Sequence, residues 1–128
     1  DDEDDDRAAN YLQGLEALDR LAVAFGGASM VPACFGYIPD FLSNQQDWRH
    51  RMVGLYGISQ TGEGTAKEMR KHLPNIISLV LPMVVDPQPR VRWAAVNCLG
   101  QLSTDLGPEL QRDFHAQVLP ALIAAMDP

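Results

Sequence analysis

The chain has 128 residues, with ten Lys+Arg against seventeen Asp+Glu and a net charge of −7, and six of the acids stand together as Asp1, Asp2, Glu3, Asp4, Asp5 and Asp6. Without that run eleven acids face ten bases, so the remainder is a near-neutral, apolar-rich body long enough for one core. This balance excludes nucleic-acid phosphates as main partners, no apolar run reaches a membrane span, and Cys34 and Cys98 are too few for a disulfide framework and read as buried thiols of a reducing compartment.

In chain order, residues 1–7 carry too much like charge to pack and are expected to form a flexible acidic segment. A helix is predicted over about 8–25, with Leu12, Leu15, Leu18, Leu21 and Ala22 inward and Gly26-Gly27 as its stop. An apolar segment comes next over about 30–43, interrupted by Pro32 and Pro39. The next helix, about 48–61, turns Val53, Leu55, Ile58 and Ser59 to the core and is expected to stop at Gly62 and Gly64. Thr65-x-x-Glu68 has the form of a capping box and opens a segment to about 85, broken by Pro74 and Pro82. Over 89–105, Val91, Ala94, Ala95, Cys98, Leu99 and Leu102 fall at i, i+3, i+4, i+7, i+8 and i+11, one face of a helix that Pro89 opens and Gly107 ends. A last segment spans about 109–126 and contains Pro120. The proline-bearing segments are expected to bend or split. Nothing alternates with period two, so the class is all-α.

The helices repeat. A shift of 41 places Arg51 on Arg92, Val53 on Ala94, Leu55 on Val96, Ile58 on Leu99 and Gln60 on Gln101, and Asp86-Pro87 on Asp127-Pro128. A shift of 37 places Leu18 on Leu55, Leu21 on Ile58 and Gly27 on Gly64. A helix-pair period near 40 residues indicates an α-solenoid of about three HEAT repeats over 8–128, six antiparallel helices in a right-handed superhelical stack. Asp86 is expected to cap the helix after it, and Arg92 to reach a carboxylate of a neighbouring repeat. The order, second helix first, reads as a piece of a longer solenoid.

Opposite the core face of the 89–105 helix stand Trp93, Asn97 and Gln101, and the repeat alignment puts Met52, Tyr56 and Gln60 in the same places, with Asp19 on Tyr56. These seven are candidate partner-binding residues: aromatics there can pack on Lys or Arg stems and amides can bond an extended backbone. The competing reading packs Trp93 between repeats and leaves Tyr56 half-exposed. His50, His72 and His115 form no His-x-x-x-His or His-Glu pair, and Gly62-Glu63-Gly64 lacks the phosphate-loop lysine, so no metal, cofactor or catalytic site is expected.

Three stretches, ALDRLAVAFGG (Ala17–Gly27), DWRHRMVGLYGISQTGEG (Asp47–Gly64) and DPQPRVRWAAVNCLGQLSTDLG (Asp86–Gly107), together with the acidic run before the first, resemble the importin-β (karyopherin-β) nuclear transport receptors, within them the importin beta-3 class. The resemblance covers essentially the whole chain. It implies that second helices line a concave face, which binds cargo proteins with basic localisation signals and, competitively, Ran-GTP. It implies that Phe-Gly nucleoporins dock between convex first helices. It also implies that Asp1–Asp6 form an acidic loop contacting Ran or basic cargo, and that the receptor shuttles between cytoplasm and nucleus through the pore. Neither nucleic acid nor membrane is among the implied partners. The alternative for the same period and composition is a HEAT scaffold subunit that assembles a multiprotein complex.

Overall fold

The computed structural model describes residues 2–126, and all regular structure among them is helical. The elements are α1 (Asp2–Phe25), α2 (Gly27–Phe35), α3 (Ile38–Ser43), α4 (Trp48–Lys71), α5 (Leu73–Val80), a 3-10 turn (Leu81–Val85), α6 (Pro89–Asp105) and α7 (Glu109–Ala125). They make two layers. α1, α4 and α6 stack side by side, α2 and α3 lie on α4, and α5 with its 3-10 turn and α7 lie against α6. Tyr11 meets Tyr56 and Ala22 meets Gly64, while Trp48 sits beside Arg90 and Gly62 beside Asp105, so α1, α4 and α6 all run the same way. This is the six-armed plan of three helix-pair repeats, with the arm before α4 and the arm before α6 each broken in two.

Proline chemistry explains both breaks. The 30–43 segment breaks at Gly36–Tyr37, and Pro39 sits in the first turn of α3; Pro74 and Pro82 open α5 and the 3-10 turn in the same way. A missing N–H costs nothing in a first turn, where that group has no helical partner. Pro120 lies inside α7, which runs on through it.

Three expectations are corrected. α4 does not stop at Gly62 and Gly64 but continues to Lys71. A Cβ on Gly64 would lie 2.6 Å from the Val23 nitrogen and one on Gly62 would lie 2.8 Å from Asp105 Oδ2. Gly64 therefore lets the α1 backbone close on α4, Gly62 lies under the Asp105 side chain of α6, and neither ends the helix. Thr65 consequently sits mid-helix, its hydroxyl donating to the Thr61 carbonyl at 2.6 Å, and opens no capping box. Second, α1 begins at Asp2, so acidic residues occupy its first turns, where the helix dipole favours negative charge; Asp1 lies outside the described residues. Third, Leu12 and Leu21 on α1 and Val53 on α4 are exposed, whereas Ala22, Leu55 and Ile58 are fully buried. α1 packs on α4 and touches α2 but carries no first-helix arm of its own among the described residues, so Leu12 and Leu21 lack the cover that α4, α5, the 3-10 turn and α7 together give the apolar stripe of α6.

The core is otherwise as the periodicity sets it. All six expected core positions of α6, Val91, Ala94, Ala95, Cys98, Leu99 and Leu102, are at most 2% exposed. Cys98 is buried among them and its thiol is pushed up to about 12 by desolvation; Cys34 is only half-buried, a departure from the expected buried thiol. Gly26, at φ 75°, ends α1 in the left-handed region that favours glycine. The arginines that link repeats are Arg51, paired with Asp86, and Arg70, which donates to the Asp105 and Gly107 carbonyls and pairs with Glu109; Arg92 instead donates to the Asp86 carbonyl at 2.8 Å, closing the turn into its own helix.

Candidate partner-binding face

The stacking of α1, α4 and α6 leaves one long face of that layer uncovered, and the candidate residues fall along it. Trp93 is 61% exposed, and Asn97 and Gln101 come after it on exposed turns of α6. Met52, Tyr56 and Gln60 on α4 and Asp19 on α1 are half-buried between the helices. Gln101 is anchored by donating from Nε2 to Asp105 Oδ2 at 3.1 Å.

Part of this set converges. Met52, Tyr56 and Trp93, with Tyr11 and Arg90, line a hollow of about 340 Å³ that reaches from α1 across α4 to α6. Tyr11 and Tyr56 meet edge to face, with ring centroids 5.4 Å apart and planes at 80°. The Tyr11 hydroxyl is buried, and burial first, then the neighbouring Tyr56 hydroxyl, push that phenol above its ordinary range. Arg90 rests over the Trp48 ring, its Cζ 5.8 Å from the ring centroid. Asp19, Gln60, Asn97 and Gln101 stand outside the hollow.

Tyr11 and Arg90 escaped the repeat alignment. Tyr11 aligns on Trp48 at the shift of 37 and Arg90 on Arg49 at the shift of 41, so neither falls in a ridge column. The signal for Tyr11 was present: Tyr11, Leu15, Leu18 and Ala22 sit at i, i+4, i+7 and i+11, one helix face. The acidic run lies at the same end of α1 as Tyr11, with Asp6 exposed.

Between the arms on the opposite layer a second hollow, about 470 Å³, is walled by Pro32, Phe35 and Pro39 on one side and His72, Asn75 and Leu79 on the other. Among the described residues no group of three His, Cys, Asp or Glu is placed to hold a metal ion, and no helix is long and apolar enough to cross a membrane.

Helix pairs stacked in register define a HEAT-repeat solenoid, and a HEAT-like repeat model matches residues 48–102. The chain is 36% identical over 126 residues to importin subunit beta-3 of Saccharomyces cerevisiae, a match that covers 98% of this chain and 12% of that protein. The crystal structure of Kap121p bound to RanGTP superposes with a TM-score of 0.89 at 37% identity, over 97% of this chain and 12% of that one. Kap121p bound to Pho4p gives 0.85 at 37% identity, over 89% and 11%. The chain belongs to the importin-β (karyopherin-β) family and spans about an eighth of the length of these relatives.

Proposed function

We propose that this chain is a cargo- and Ran-facing stretch of a nuclear import receptor, with the uncovered face of α1, α4 and α6 as its concave, partner-binding side. The observation that carries the reading is Trp93: a 61% exposed indole over a hollow walled by two tyrosines and a methionine. Together with Tyr11, Met52 and Tyr56 the indole makes a contiguous apolar patch rimmed by polar residues, the kind of surface that marks a partner-binding site. The kinship supports the same reading, since the similar solenoid Kap121p has been solved with RanGTP and with Pho4p.

In this reading an extended segment of a basic cargo lies along the ridge. The rings of Trp93 and Tyr56 pack on its side chains, Asn97, Gln60 and Gln101 bond its backbone, and Asp19 and the acidic start of α1 attract its lysines and arginines. Asp1–Asp6 raise the rate of encounter most at low salt. Ran in its GTP form competes for the same face, and Phe-Gly segments of pore proteins dock in the hollow between the arms on the other side. The whole receptor thereby moves between cytoplasm and nucleus through the pore, without catalysis.

The test titrates a fluorescent Lys-rich peptide, then adds Ran loaded with a non-hydrolysable GTP analogue. Saturable peptide binding that Trp93→Ala weakens and Ran displaces supports the proposal. Binding of neither ligand defeats it.

A further inference from the structure

The hollow bounded by Tyr11, Met52, Tyr56 and Trp93 has a single charged group in its lining, Arg90. Arg90 is exposed and rests over Trp48, and its guanidinium pairs with no carboxylate among the described residues. At about 340 Å³ the space is at the lower end of the range of about 300–1,000 Å³ for ligand sites. It suits one or two side chains of an extended peptide. A lysine entering it would meet Arg90 as a like charge, which costs affinity. A carboxylate in the same place would receive a charge-assisted, two-pronged hydrogen bond from the guanidinium fork. Apolar walls and one unpaired cation together specify an occupant with an apolar body and an adjacent negative group.

We propose that this hollow takes an apolar side chain of the bound peptide and that Arg90 selects a side-chain carboxylate next to it. The peptide is then mixed in sign, basic toward the acidic start of α1 and acidic beside the hollow. This rests on the peptide-binding reading of the face and adds to it a residue, Arg90, and a charge sign opposite to that of a basic signal.

The experiment measures fluorescence anisotropy of two C-terminally amidated, Lys-rich peptides at physiological salt. They differ only in the residue after a single leucine, Glu in one and Lys in the other. The unmodified chain binds the Glu peptide more tightly, by about threefold. Arg90→Glu shifts the ratio of the two affinities by about tenfold and reverses the order, whereas Arg90→Lys keeps the order. Arg90 is exposed, so these variants keep the fold. A preference of the unmodified chain for the Lys peptide, or a ratio that Arg90→Glu leaves unchanged, overturns the proposal. Trp93→Ala separates the two levels. If it weakens both peptides while Arg90→Glu leaves the ratio alone, only the role of Arg90 falls. If it affects neither peptide, the peptide-binding face falls with it.

Discussion

Arg51 and Asp86, 35 positions apart, form a buried two-pronged ion pair: Nε donates to Oδ2 at 2.7 Å and Nη2 to Oδ1 at 2.9 Å. The remaining arm of the guanidinium donates from Nη1 to the Asn44 carbonyl at 2.6 Å, and Asp86 Oδ1 also accepts from the Gln88 backbone N–H. One pair thus ties the turn before α4, the head of α4 and the turn before α6 into a single knot. Removing one partner leaves a buried charge unpaired. Arg51→Met should lower stability by about 3–5 kcal/mol in urea unfolding, and replacing both residues with apolar ones should cost markedly less.

The same knot sets a pH dependence. Burial alone would raise the Asp86 carboxyl, but the Arg51 hydrogen bonds, the Gln88 N–H and the charges of Arg51 and Arg92 outweigh it and hold the group below its ordinary value of 3.8. A depressed folded-state value contributes stability in full above the unfolded value, and that contribution is lost as pH falls through the folded one. The stability gap between the unmodified chain and Asp86→Asn should therefore be constant above about pH 5 and narrow steadily in stronger acid. Thermal melts from pH 7 to pH 2 measure it, and a gap that widens on acidification contradicts the assignment.

Two glycine substitutions should move stability in opposite directions. Gly64→Ala puts a methyl 2.6–2.7 Å from the Val23 and Ala22 backbone, so α1 must shift, at a cost of about 1–3 kcal/mol. Gly100→Ala in α6 meets nothing within 4 Å and should gain about 0.5–1 kcal/mol from helix propensity. Equal effects in thermal unfolding would mean that Gly64 is not a contact residue.

The two aromatic candidates should separate by readout. Trp93→Ala should leave stability within about 0.5 kcal/mol while weakening peptide binding about tenfold. Tyr56 is packed edge to face on Tyr11, and a double-mutant cycle on that pair should return a coupling of about 0.5–1.5 kcal/mol in stability.

Thiol labelling of the native chain should modify Cys34 first. Cys98 is fully buried with its thiol held near 12, and it should react only on unfolding.

The sequence made some of this legible and hid the rest for identifiable reasons. α6 was readable to the residue because a long amphipathic stripe between a proline start and a glycine end admits one period. Gly62 and Gly64 misled because a glycine that stops a helix and one that admits a neighbouring helix are the same letter; only the approach of Ala22 and Asp105 separates them. The exposure of Leu12 and Leu21 depends on which arm covers α1, which periodicity does not carry. Trp93, Asn97 and Gln101 were legible as the face opposite the core. Arg90 was not, because it lines a hollow only once Tyr11 and Tyr56 arrive from two other helices.

The size gradient along α4 has a mechanical result. Near its start it is held off its neighbours by Tyr56, Met52 and the rings and guanidinium around them, while farther on Gly62 and Gly64 admit neighbouring atoms nearly to contact distance. The α1–α4 contact therefore tapers along the pair, with the Tyr11 and Tyr56 rings between the helices at one end and Gly64 against the α1 backbone at the other. Such a taper tilts one helix against the next, so enlarging Gly64 or trimming Tyr56 should change that tilt, a change in overall shape that small-angle scattering reads directly.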